Sequence, residues 1–194
     1  MTMQPMYKDR WAELIVCALV VSVISLLIEE QNPSGIVIIT SLASTSLALM
    51  VAPGAPTNSI RAVLFSYILA MFVSVFFGFV FSYYIDGLII NTGLLFFIKF
   101  FVMLLATLFL FGFFDSYHPP AIGAMLTYFI DTDFDDPSLI IYVPIAVIFL
   151  LATIKCYIYL RHSDEFKWKN IGAEFHRGFN KKPKVGIKEK TKNL

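Results

Sequence analysis

The chain has 194 residues, 58% of them hydrophobic, 16% aromatic and only 15% charged. A soluble domain carries about a quarter charged residues, so this composition, with a mean hydropathy of +0.74, excludes an ordinary soluble globule. The net charge of +1 hides an asymmetry: residues 1–160 hold five Lys/Arg and ten Asp/Glu, and residues 161–194 hold ten and four.

Apolar runs of membrane-spanning length follow one another from residue 11 to residue 160, and a bilayer core needs about 20 apolar residues per helix. The expected fold is therefore all-α, a polytopic helical membrane protein. A transmembrane domain over 1–160 is followed by a basic tail over 161–194. Six hydrophobic segments are predicted, at 11–28, 36–52, 60–85, 88–114, 119–130 and 138–160.

The first segment follows Lys8 and Arg10 and ends at Glu29-Glu30-Gln31, with no small-x-small cleavage site, so it reads as a retained helix. The second follows "NPSG" and is rich in small and hydroxyl residues, "SLASTSLAL". The third opens at Arg61, and the fourth carries Lys99 inside "LLFFIKFFVMLL". The fifth is short and opens at "HPPAIGA". In the sixth, Lys155 lies close enough to the end to snorkel to the surface. Phe166, Trp168, Ile171, Phe175 and Phe179 alternate with basic residues in the tail, and part of that spacing suits a helix on the membrane surface.

The order is long–short–long twice, an arrangement that suggests an internal duplication. Lys8, Arg10 and the basic tail put both termini in the cytoplasm, and the acidic "EEQNPS" and "DTDFDDP" loops outside. Basic residues beside a membrane helix mark that side rather than a nucleic-acid interface. Six crossings accommodate every charge, with Arg61 inside, and would invert the second half relative to the first, as in many transporters. If the two short segments were re-entrant, four helices would cross and Arg61 would lie outside.

"FDSYHPPAIGAML" interrupts the chain between segments four and five. Proline suits the first turn of a helix and biases the preceding residue away from helix, so His118 should end a non-helical step. A helix start presents free N–H groups and partial positive charge. Ala121, Gly123 and Ala124 permit close approach. Irregular backbone at membrane depth is tolerated where protein or a water-filled cavity covers it. The break can thus create a polar end inside an apolar bundle, or it can be a capped helix start at the membrane surface. His118, whose ordinary pKa is near 6.5, can add charge there.

"HPPAIGAML" resembles the pattern that gives the HPP family of integral membrane proteins its name. "SLASTSLALMVAPGAPTNSIRAVLFSY" is similar to a second family stretch through Ser41, Ala43, Thr45, Pro53, Pro56 and Arg61. The likeness covers about residues 10–160. Ala43, Ile122, Met125, Ser59-Ile60 and Ser66-Tyr67 depart from the family pattern, as in a divergent member. Relatives in photosynthetic organisms are linked to nitrite transport, so the resemblance implies a carrier of nitrite or a similar anion.

The expected function is a transporter or channel for a small inorganic anion in a prokaryotic cytoplasmic membrane. The candidate substrate-binding residues are Ser41, Ser44, Thr45, Arg61, Lys99, His118, Pro119, Pro120 and Ala121. Helix-end amides would act as further donors, and segments two and five would meet to form the site. A charged residue near a helix centre costs about 2.5–3.5 kcal/mol on translocon scales, so Lys99 should face a cavity, a partner or an anion, unless it snorkels. Two alternatives stay open: a membrane-embedded enzyme using His118 and Asp115, and a structural or regulatory subunit. No cofactor, metal or nucleic acid is expected. Cys17 and Cys156 read as small buried hydrophobes. The expected partners are the anion and the lipid bilayer, with a homo-oligomer compatible with the sequence.

Overall fold

The computed structural model describes residues 11–26, 33–84, 92–127, 139–161 and 171–176. Its helices are α1 (Trp11–Ser25), α2 (Pro33–Val51), α3 (Ile60–Tyr84), α4 (Thr92–Phe113), α5 (Ile122–Met125), α6 (Leu139–Arg161) and α7 (Ile171–His176). Short 3₁₀ turns at Pro56–Asn58 and Pro119–Ala121 precede α3 and α5. No strand occurs among the described residues. The fold is all-α, as expected for a polytopic membrane protein. Stretches Ile60–Phe81, Gly93–Phe113 and Ile140–Arg161 are long and apolar enough to cross a bilayer, and Ala12–Ser25 and Gly35–Val51 are shorter apolar helices.

Side-chain contacts fix the direction of each helix. Cys17, early in α1, reaches the carbonyl of Ser46, late in α2. The start of α3 meets the end of α4, where Arg61 bonds the Phe114 carbonyl and Ser66 that of Ser116. Lys155, late in α6, lies 3.5 Å from the Pro53 carbonyl just after α2. One end of the bundle, termed the lower end, therefore gathers the start of α1, the end of α2, the start of α3, the end of α4 and the end of α6. From there α5 runs inward, with His118 beside Thr45 and Gly123 packed on Ser41, one helical turn deeper along α2.

The path is thus upward in α1, α3 and α5 and downward in α2, α4 and α6. Among α1 to α6, the helices in substantial contact are α1·α2, α4·α5, α3·α4, α1·α6, α3·α5, α2·α6, α2·α5 and α3·α6. Exchanging α1 with α4, α2 with α5 and α3 with α6 leaves that set unchanged. The second triplet runs opposite to the first, so the six helices have the arrangement of an inverted repeat, with α2 and the four-residue α5 in contact at its centre. Fully buried Leu42, Leu49, Val63, Ala70, Met125, Val147 and Leu150 form the core around them. Phe-rich surfaces of α3 and α4 stay exposed, as suits lipid.

The observed bounds lie close to the predicted segments. Helix α2 begins three residues earlier than the predicted 36, because Pro33 can occupy a first turn that needs no N–H. The tail differs more. Helix α7 packs against α3, with Glu174 buried, so this part of the tail docks on the bundle. Phe166, Trp168 and Phe179 fall outside the described residues. Lys155 does not snorkel. It is 4% exposed, and its Nζ donates to Glu174 Oε2 at 2.9 Å, while Tyr159 donates to Glu174 Oε1 at 2.8 Å. A buried carboxylate within reach outweighs the route to the headgroups.

Candidate functional site

Two connectors shape the lower end. After α2, Asn58 donates to the carbonyls of Ala48 and Ala52 at 2.7 and 2.9 Å, closing the helix. Ser59 then caps α3, accepting from the Ala62 amide at 3.2 Å. After α4, the Ser116 amide bonds the Phe111 carbonyl and the Asp115 amide that of Gly112. This is a Schellman closure, which needs a left-handed residue, and Asp115 supplies it at φ 48°. Aspartate tolerates that conformation better than most residues with a Cβ. The turn sends Ser116 and His118 back into the bundle.

His118 has extended backbone, φ −133° and ψ 95°, and its side chain makes no capping bond. It reaches across to the other half instead. Its Nε2 lies 3.0 Å from Thr45 Oγ1 and its Nδ1 2.9 Å from the Thr57 carbonyl. A carbonyl only accepts, so Nδ1 carries a proton. The Thr45 hydroxyl also contacts the Tyr67 hydroxyl at 2.8 Å, which contacts Ser41 Oγ at 2.8 Å. Ser41 donates to the Pro120 carbonyl at 2.6 Å. Five residues from α2, α3 and the motif therefore form one hydrogen-bonded chain. His118 and Thr45 are 0% exposed, Tyr67 1% and Ser41 4%. His118 lies in the connector, outside the spanning helices; burial pushes its pKa down, toward the neutral imidazole.

Ser66 and Ser116 form a second polar contact nearby. Ser66 donates to the Ser116 carbonyl at 2.6 Å and Ser116 to the Ala62 carbonyl at 3.1 Å, and their hydroxyl oxygens stand 3.4 Å apart. Ser116 and His118 thus serve different partners and make no nucleophile–base pair. Thr57 and Thr45, rather than Asp115, orient the imidazole.

On the outer side, a half-open cavity of about 240 Å³ is lined by Pro56, Thr57, Ser59, Arg61, Ala62, Asp115 and Tyr117. Arg61 is 7% exposed, donates to the Phe114 carbonyl at 3.3 Å and lies over the Phe65 ring at 5.6 Å. Thr57 belongs to both places: it lines the cavity, and its carbonyl holds His118.

The predicted residues divide accordingly. Ser41, Thr45, His118 and Pro120 are brought together. Pro119 opens the turn, and Ala121 is buried beside it. Arg61 stands in the adjoining cavity. Ser44 bonds only the Ser41 carbonyl of its own helix, at 2.9 Å. Lys99 lies apart, with its Nζ 5.7 Å from the Phe81 ring centroid; fourteen residues separate it from the α4 end at Phe113, about 21 Å of helix.

The helix-end amides expected as donors are not offered. Pro119 and Pro120 have no N–H, and the Ala121 and Ile122 amides bond the His118, Pro119 and Pro120 carbonyls. The prolines that start the turn also strip its anion-attracting groups. Sequence reasoning missed Tyr67 and Thr57. The Ser66-Tyr67 departure from the family pattern was the available signal for Tyr67, while Thr57 acts through a backbone carbonyl, which no residue type reveals. Compared with protein-family models, curated proteins and solved structures, the chain matches none.

Proposed function

We propose that the chain moves a small inorganic anion across the membrane as a transporter or channel, with nitrite the leading candidate from the family resemblance. One observation carries this reading: the middle helices of two oppositely running halves meet in a buried, uncharged polar chain that shares Thr57 with a cavity holding Arg61. Inverted repeats with broken central segments are a recurrent transporter plan, with binding where the repeats meet. A neutral path with a nearby cation admits an anion without trapping it. The polar chain is sealed in this state, so passage requires Tyr67 and His118 to part from α2.

The basic residues 161–194 and Arg61 favour the lower end as the cytoplasmic one, with both termini there. A prokaryotic cytoplasmic membrane is the compartment proposed.

The test is nitrite uptake into proteoliposomes. His118→Ala should lower uptake at least about tenfold, and His118→Gln, which keeps a donor and an acceptor, should retain part of it. Folding is checked by monodisperse elution. Uptake equal to the parent in a folded His118→Ala protein would remove the polar chain from the path.

A further inference from the structure

The hydrogen-bonded chain around His118 is one proton short. It has five contacts: Pro120 carbonyl with Ser41, Ser41 with Tyr67, Tyr67 with Thr45, Thr45 with His118 Nε2, and His118 Nδ1 with the Thr57 carbonyl. Each hydroxyl has one proton, and a neutral imidazole has one. The two ends are carbonyls, which bring none. With His118 neutral, four protons serve five contacts. Thr45 then donates to Nε2, Tyr67 to Thr45 and Ser41 to Pro120, which leaves the 2.8 Å Ser41–Tyr67 contact without a proton. The Ser66–Ser116 pair supplies the comparison. There both hydroxyl protons go to carbonyls, and the two oxygens stand 3.4 Å apart. The closer Ser41–Tyr67 approach is the distance of a made hydrogen bond.

A second proton on His118 completes the set. Nε2 then donates to Thr45, Thr45 turns its proton to Tyr67, and Tyr67 turns its proton to Ser41. Two hydroxyls turn, no bond between heavy atoms changes, and every contact holds one proton. The cost is a buried imidazolium. Among the described residues, Tyr67 on α3 belongs to the same chain, and Arg61 on α3 with Asp115 and Tyr117 on the imidazole's own connector line the adjoining cavity. Lys155 and Glu174 already pair beyond Pro53. The residues on α2 and α5 that face it carry no charge. Arg61 and Asp115, of opposite sign, both line the cavity, and the groups bonded to the imidazole among the described residues are a hydroxyl and a carbonyl, so the extra positive charge meets no counter-charge in direct contact. An anion in the cavity, against Thr57, would supply it.

We infer that Ser41, Thr45, Tyr67 and His118 form a one-proton site, and that this proton binds together with the anion. This rests on the proposed anion path and adds its coupling: the chain carries an anion with a proton, electroneutrally. Linkage is reciprocal. If the anion favours the imidazolium, acid must strengthen anion binding, tending to about tenfold per pH unit above the His118 midpoint.

The experiment follows the His118 imidazole by NMR in the full-length protein, with His162→Gln and His176→Gln removing the other two histidines. Nitrite binding is measured by calorimetry on the same sample. Saturating sodium nitrite should raise the His118 midpoint by about one pH unit or more. Tyr67→Phe leaves three contacts and three protons with neutral His118, so it should lower the midpoint and abolish the pH dependence of nitrite affinity. Thr45→Val balances the count in the same way and serves if Tyr67→Phe does not fold. Nitrite binding with an unmoved midpoint would overturn the coupling and leave the anion path standing. A parental midpoint in both variants would overturn the proton count. No nitrite binding at any pH would overturn the anion path and the coupling together.

Discussion

Two buried polar clusters meet the same apolar bundle in different ways. Lys155, Tyr159 and Glu174 join full charges, with both carboxylate oxygens occupied. Ser41, Thr45, Tyr67 and His118 join neutral groups without a carboxylate among them. A closed ion pair has one low-energy proton arrangement, and its rupture strands a charge. A chain of hydroxyls ending on an imidazole has two arrangements that differ by one proton. The first kind of cluster anchors α7 to α6, whereas the second can respond to what arrives beside it.

The largest expected effect comes from breaking the anchored cluster. Removing one partner of a buried ion pair costs about 3–5 kcal/mol, because the other charge stays buried. Lys155→Met should therefore lower the thermal unfolding midpoint in detergent more than the double variant Lys155→Met/Glu174→Gln, in which Tyr159 still has an oxygen to bond. If the single and double variants unfold alike, the pair does not anchor α7.

Packing gives a second, smaller contrast. A Cβ on Gly123 would lie 2.8 Å from Ser41 Cβ and 3.1 Å from its Oγ, whereas one on Gly172 would meet nothing within 4 Å. Overpacking costs about 1–3 kcal/mol, and relief of a helical glycine gains about 0.4–1 kcal/mol. Gly123→Ala should destabilise the protein and prise α5 from α2; Gly172→Ala should stabilise α7. Denaturation of the two variants side by side decides it, and equal stability would mean that α5 does not press on α2 as described.

The architecture was largely legible in the sequence, because apolar runs and charged loops obey bilayer length and hydrogen-bonding rules that leave little choice. The non-helical step at His118 followed from Pro119-Pro120, and the inverted repeat from charge and segment order. The clusters were less legible, for particular reasons. Lys155 looked like a snorkelling lysine because Glu174 is nineteen residues away and its pairing is tertiary. The Pro-Pro step promised free amides, but those amides close on local carbonyls. Thr57 contributes a carbonyl, and backbone groups look identical in any sequence.

The smallest expected effect tests the neutral cluster with two serines three residues apart on α2. Both stood among the candidates, and residue type cannot separate them. Successive residues turn about 100° around a helix, so positions three apart are neighbours but not equivalent. Ser41 reaches Tyr67 and the Pro120 carbonyl, in the other half of the repeat. Ser44 is exposed and bonds its own helix. Ser41→Ala removes the hydrogen bond to the Pro120 carbonyl, worth about 1 kcal/mol net, together with the Tyr67 contact, and leaves Tyr67 with Thr45 alone. It should lower stability by about 1–2 kcal/mol and reduce nitrite uptake severalfold. Ser44→Ala gives up only a local bond that competes with the helix, so stability should stay within about 0.5 kcal/mol and uptake should match the parent. Uptake and unfolding measured on both variants separate the faces of α2. A Ser44→Ala protein that loses uptake while Ser41→Ala keeps it would put the anion path on a different face of α2 from the one that meets His118.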